Sequence, residues 1–168
     1  MREPLHSFGK NTPHEWLALF LWIMTCQLAG IIGSAFSLSA IPTWYETLTK
    51  PFLTPPGWVF GPVWTTLYVL MGCAAFFIWK KARKTSRGKI ALVIFGLQLA
   101  LNTLWSILFF GAQNIAAALA EIVILWMAIA TTIILFWRIS KTAAWLLVPY
   151  LLWVSFATYL TYAFWTLN

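Results

Sequence analysis

Charge is what this sequence most lacks. Only 9% of its 168 residues are Asp, Glu, Lys or Arg, against 61% hydrophobic residues, and the mean hydropathy is +0.81. So little charge cannot clothe a soluble surface, whereas hydrocarbon requires none, which excludes an ordinary soluble domain. Cysteine is limited to Cys26 and Cys73, both inside apolar runs with no CxxC and no neighbouring His. That pattern argues against a disulfide framework or a metal site and for two buried thiols. Histidine occurs only at His6 and His14, ahead of the first apolar run. A haem within the membrane would therefore find no imidazole ligand there. GxSxG, HExxH, a nucleotide-binding loop and paired carboxylates are all missing, so no conventional catalytic apparatus is legible and no cofactor is required. No internal repeat is visible either, which removes the usual sign of a secondary transporter.

What the sequence does have is apolar length and tryptophan. About 20 apolar residues cross the hydrocarbon core as a helix, and five stretches qualify, at 16–36, 58–79, 90–110, 115–137 and 143–165. The expected fold class is an all-α membrane protein, a five-transmembrane-helix bundle spanning 16–168 behind a tail at 1–15. The first apolar run is too long for a signal peptide and reads as a retained span. GAQN at 111–114 is short enough to force the third and fourth helices into an antiparallel hairpin. Small residues four apart, at Gly30/Ser34, Gly96/Ala100 and Ala112/Ala116/Ala120, let helices approach closely, within the bundle or across a homodimer seam.

The net charge of +7 is not a nucleic-acid signal. Six of the eleven basic residues lie in KKARKTSRGK at 80–89, with no acid and no interleaved aromatics. Counting 2 in the tail, 6 here and 2 at 138–142 gives 10 Lys/Arg on one side of the membrane, against Lys50 alone on the other. The positive-inside rule then predicts a multi-pass protein of the cell membrane with its N-terminus cytoplasmic and its C-terminus outside. Membrane lipid is the expected surroundings, with anionic headgroups a natural contact for the 80–89 loop, and no nucleic-acid partner is expected.

The 12 Trp supply the functional signal. The stretch WYETLTKPFLTPPGWVFGPVWTTLY at 44–68 begins as a proline-pinned polar loop and turns without a break into a span. It reads as an aromatic lid, with Trp44 and Tyr45 in the loop. On the third helix Gln98, Asn102, Trp105 and Phe109 share one side; on the second, Trp64 and Tyr68; on the fifth, Trp145, Pro149, Trp153 and Ala157, with a bend expected at Pro149. Two amides in hydrocarbon must face the bundle interior to find partners. The convergence suggests a pocket for a flat apolar ligand, in which ring faces stack and indole N–H groups and amides orient. Glu121 is the only acid within an expected span. It reads as a helix–helix hydrogen-bonding group, a snorkelling group or a proton relay.

Four motifs carry a family resemblance: WYxxLxKPxxxPPxWVFGPVWTTLY from Trp44, LQLALNxLW from Leu97, FFGAQN from Phe109 and VPYLLWxxFATYLxY from Val148. The chain resembles the TspO/MBR family, the tryptophan-rich sensory proteins and mitochondrial translocator proteins (peripheral-type benzodiazepine receptors). The resemblance implies a five-helix bundle, often a homodimer, that binds porphyrins such as protoporphyrin IX, along with sterols and synthetic isoquinoline or benzodiazepine ligands. It implies a pocket beneath the first loop at Trp44, Tyr45, Trp64, Asn102, Trp105, Trp153 and Ala157. Trp64 and Trp153 match tryptophans associated in bacterial members with light-dependent porphyrin breakdown. Leu53 stands where many members carry Trp, and no Lys or Arg follows Lys141 to complete the sterol motif after Tyr162. The expected function is a membrane binding protein for porphyrin-like tetrapyrroles, acting as sensor, scavenger or regulator in tetrapyrrole or stress responses. The alternatives are a light-dependent porphyrin-degrading enzyme and a transporter of porphyrin or lipid.

Overall fold

The computed structural model describes residues 12–168. Most of the expected 1–15 tail, including His6, lies outside the described residues. The protein is an all-α, multi-pass membrane protein whose five helices are each long and apolar enough to cross a bilayer. Helix α1 (Pro13–Ala40) runs on through a π-helical turn, Ile41–Tyr45. Helix α2 spans Gly57–Ala82, and α3 spans Ser86–Ser106 and likewise widens into a π-helical turn, Ile107–Gly111. Helices α4 (Ile115–Trp137) and α5 (Lys141–Leu167) complete the chain.

Polar residues placed just outside the apolar runs fix where helices begin. The Glu15 carboxylate accepts from the Thr12 amide at 3.2 Å, and Pro13 occupies the first turn, where its missing N–H costs nothing. Thr85 Oγ1 accepts from the Gly88 amide at 3.1 Å, Asn114 Oδ1 from Ala117 at 2.9 Å and Ser140 Oγ from Ala143 at 3.5 Å. Lys80 and Lys81 close α2, where cations favour the helix dipole. Gln113, at φ 53°, is the one non-glycine residue among those described with a left-handed backbone, and it turns α3 into α4.

The first helix departs from the expected reading. Trp44 and Tyr45 do not lie in a loop but in the π-helical continuation of α1. Pro42 has no N–H to donate, so it should end the helix. Instead the turn widens, and the Thr43 hydroxyl donates to the carbonyls of Ser39 (3.0 Å) and Ala40 (3.3 Å). Side-chain hydroxyls and local π adjustments satisfy a broken backbone in this way inside membranes. Helix α5 likewise continues through Pro149, whose side chain is exposed.

Round the bundle the helices neighbour one another in the order α1, α2, α5, α4, α3, closing on α1, with α2 also touching α3. The expected α3–α4 hairpin is therefore present. Hydrocarbon gives no hydrophobic drive for helices to associate, so close packing carries the fold. A Cβ on Gly72 would lie 2.6 Å from the Ile23 backbone, which fixes how tightly α1 crosses α2. The end bearing the 80–89 turn is solid: Ile78, Phe95, Ile129, Phe136 and Leu147 are fully or almost fully buried there. A smaller aromatic cluster of Phe109, Ala118 and Phe164 lies under the opposite, lid-bearing end, with Trp44 and Tyr45 packed on it. Between the two the bundle is hollow.

Candidate ligand-binding site

The hollow is a cavity of about 800 Å³, within the ~300–1,000 Å³ range of small-molecule sites. All five helices contribute to its wall, and the 46–57 segment roofs it. Its floor is a polar contact between two helices: the Tyr68 hydroxyl of α2 donates to Asn102 Oδ1 of α3 at 2.5 Å, buried. The position of Tyr68 depends on Gly30 of α1. Any Cβ there would stand 2.3 Å from Tyr68 Cε2, so only glycine lets the ring lie against the α1 backbone. Trp64, one turn nearer the lid, stacks on Tyr68 with centroids 5.4 Å apart and planes at 29°.

The opposite wall comes from α5, where Trp153 and Ala157 line the cavity and Phe60 of α2 meets Trp153 edge-on at 6.0 Å. Trp105 of α3 also lines the cavity and stacks on Phe109 at 5.0 Å and 20°. Its indole N–H is buried without an acceptor among the described residues. That nitrogen is covered even though the cavity is open, so Trp105 offers an occupant ring surface rather than a hydrogen bond. The arrangement therefore offers ring faces on two sides and an amide–phenol floor.

Of the residues singled out in the sequence, the structure brings Tyr45, Trp64, Tyr68, Asn102, Trp105, Trp153 and Ala157 together around this one cavity. Trp44 does not reach it. Its ring packs edge-on against Phe109 at 5.6 Å and supports the wall from behind. Gln98 is also absent from the lining; it is buried on α3 with neither amide atom hydrogen-bonded among the described residues. Trp145 and Pro149 are exposed, and Trp145 meets Trp137 at 6.0 Å near the basic end. The stripe on α5 breaks for a geometric reason. Residues four apart advance ~400° round a helix, so each step drifts ~40°, and three steps carry Trp145 ~120° from Ala157.

Glu121 is buried on α4 with neither carboxylate oxygen hydrogen-bonded among the described residues, so it does not make the helix–helix hydrogen bond considered for it. Sequence reasoning missed the α1 wall, Gly30 and Ile31 in particular, together with Phe60 and Phe110. No polar or aromatic periodicity marks α1, and only the Gly30/Ser34 spacing hinted that something packs closely there. Charge is confined to the roof: among the described residues Glu46 and Lys50 are the only acid and the only base lining the cavity.

Comparison with known proteins gives one consistent answer. A profile of the TspO/MBR family matches residues 22–166. The chain is 44% identical over 152 residues to the tryptophan-rich protein TspO of Chlorobaculum tepidum, a match covering 90% of this chain and 96% of that protein. It is 37% identical over 154 residues to the human translocator protein, covering 91% of each. It is 36% identical over 154 residues to the tryptophan-rich sensory protein of Cereibacter sphaeroides, covering 92% of this chain and 93% of that one.

Proposed function

The chain belongs to the TspO/MBR family, and we propose that it binds porphyrin-like tetrapyrroles, of which protoporphyrin IX is the representative, in the cavity beneath its lid. One observation carries this reading: a planar-ligand-sized hollow of about 800 Å³ whose walls are the indoles of Trp64, Trp105 and Trp153. Stacked rings suit any flat π-system, and the Tyr68–Asn102 contact gives the cavity one polar end that orients it. The protein acts as a sensor or scavenger, holding a photoreactive pigment away from the bilayer.

Titration with protoporphyrin IX in darkness is expected to quench tryptophan fluorescence saturably. Replacing Trp64 and Trp153 together by Phe removes two indole walls and is expected to weaken binding at least tenfold, about 1.4 kcal/mol. Quenching that does not saturate, or that is unchanged in the double variant, defeats the proposal.

A second reading follows from Trp64 and Trp153 both reaching the cavity. Indoles near an excited macrocycle can donate electrons to it, and with dissolved dioxygen as the oxidant light would then convert the bound pigment. The macrocycle would then supply the photochemistry and the protein the positioning. A new absorbance product that forms under light with the protein, but not with the double variant, would establish turnover over plain binding. Transport gains no comparable support, because no second buried charge accompanies Glu121 in the spans among the described residues.

The basic 80–89 turn and the 138–141 turn support an N-terminus in the cytoplasm and the lid on the outer face. A reporter fused after Asn168 and found active in the cytoplasm would reverse that orientation.

A further inference from the structure

One lysine, Lys50, lines the cavity among the described residues, and the backbone that carries it is held firmly. Lys50 Nζ lies 2.8 Å from Glu46 Oε2 and sits over the Tyr45 ring, 5.4 Å from its centroid. The residue before it is clamped. Asn168 Oδ1 accepts from the Thr49 amide at 2.8 Å, and Asn168 Nδ2 donates back to the Thr49 carbonyl at 3.3 Å. The same Nδ2 donates to the Phe164 carbonyl at 3.0 Å, so the end of α5 grips the peptide unit that carries Lys50. On the far side Pro51 is buried and restricts the chain. The backbone at Lys50 is thus held between Asn168 and Pro51, while its ammonium rests on Glu46 and the Tyr45 ring at the roof of a largely apolar cavity.

From this we infer that Lys50 is an anion subsite, and that the preferred occupant is a flat apolar molecule bearing a carboxylate at one edge. The inference rests on the planar-ligand reading above and adds the polarity of the ligand to it. The Glu46 pair does not compete strongly. Both side chains are well exposed, at 38% and 58%, and exposed pairs four apart on one turn are weak and screened. A ligand carboxylate arriving between the aromatic walls and Lys50 sees less water than Glu46 does and makes the stronger charge-assisted contact. Glu46 then acts against the ligand as a like charge, which sets a sign for its removal. The subsite also orients the ligand. Its acid edge stays at the lid, level with the lipid headgroups, while its apolar edge goes down toward Tyr68 and Asn102.

An acid and its ester separate charge from shape. Protoporphyrin IX and its dimethyl ester would be titrated in nanodiscs against the wild-type protein, Lys50→Gln and Glu46→Gln. The expected result is a five- to tenfold loss of diacid affinity in Lys50→Gln with the ester unchanged within twofold, and a two- to threefold gain for the diacid in Glu46→Gln. Wild-type affinity for the diacid should fall with added salt, and that for the ester should not. Equal losses for acid and ester in Lys50→Gln would make Lys50 a shaping residue of the lid and overturn the subsite while leaving the planar-ligand reading intact. Failure of both pigments to bind the wild-type protein would remove that reading, and the subsite with it.

Discussion

Gly30 decides the floor of the cavity by having no side chain. The 2.3 Å that a Cβ would leave to Tyr68 Cε2 is far inside contact, and the opposing atoms belong to a stiff ring rather than to a flexible chain end. Gly30→Ala is therefore expected to push Tyr68 off its place, break its hydrogen bond to Asn102 and cost about 1–3 kcal/mol in stability. Thermal unfolding in detergent measures the cost. Adding Tyr68→Leu should recover most of the packing loss and none of the hydrogen bond, so the two changes should be non-additive. Strict additivity would mean that the ring and the glycine do not constrain each other. Legibility at this scale was uneven. The aromatics and Asn102 could be read from spacing because a polar or flat side chain in hydrocarbon needs a reason. Gly30 could be read only as small, since what it makes room for comes from a helix 38 residues away in sequence. Gln98 and Trp44 show the opposite error. Gln98 shares the face of Asn102 and Trp105 but sits one turn, ~6 Å, below the Asn102 floor, whereas Trp44 is turned away by the ~100° that separates it from Tyr45.

Helices as units were easier to read than their ends. The run at 115–137 is both the expected span and the observed α4, because Asn114 caps its start and Arg138 follows its last apolar residue. The ends of α1 and α3 were not legible, because in both the helix widens into a π-helical turn rather than stopping. Such turns depend on which carbonyls find a hydroxyl, and a linear pattern does not reveal that. The lid that follows α1 is short of tethers. Its one cross-chain hydrogen-bonded clamp among the described residues is Asn168 on Thr49, while Phe52 is fully exposed and Leu53 half exposed. Asn168→Ala is accordingly expected to free the segment from Thr49 to Pro56. Amide exchange at Thr49 should accelerate by about tenfold for each ~1.4 kcal/mol of tether lost. Ligand release should quicken with it, because affinity changes at a gated site appear mainly in the off-rate. Unchanged exchange at Thr49 would show that the aromatic packing of Tyr45 on Phe164, at 5.5 Å, holds the lid without help.

At the scale of the molecule, the bundle is asymmetric along its axis and around it. Along the axis a solid, basic end supports a hollow, aromatic one, so rigidity and ligand space are kept apart. Around the axis, the cavity lies on one side of α3 and a second feature on the other. Val93, Leu97 and Leu104 are exposed on the outer face of α3, while Gly96 and Ala100 between them form a notch where a Cβ on Gly96 would meet nothing within 4 Å. Lipid tails fill a notch poorly, whereas a second helix can seat its own ridge there at close backbone approach. A self-complementary patch on a single helix suits a two-fold pair of this chain, with Leu97 of each copy lying across the notch of the other. Gly96→Leu with Ala100→Leu should fill the notch and shift the equilibrium in liposomes toward monomer by about tenfold, near 1.4 kcal/mol, as counted by single-molecule photobleaching. Porphyrin affinity should stay within twofold, since the notch faces away from the cavity. A wild-type protein that is monomeric in liposomes, or a dimer fraction unchanged in the variant, would leave the notch without this partner. A parallel loss of ligand binding would mean that α3 transmits strain from its outer face to Asn102 and Trp105, making the pair a working unit rather than two independent sites.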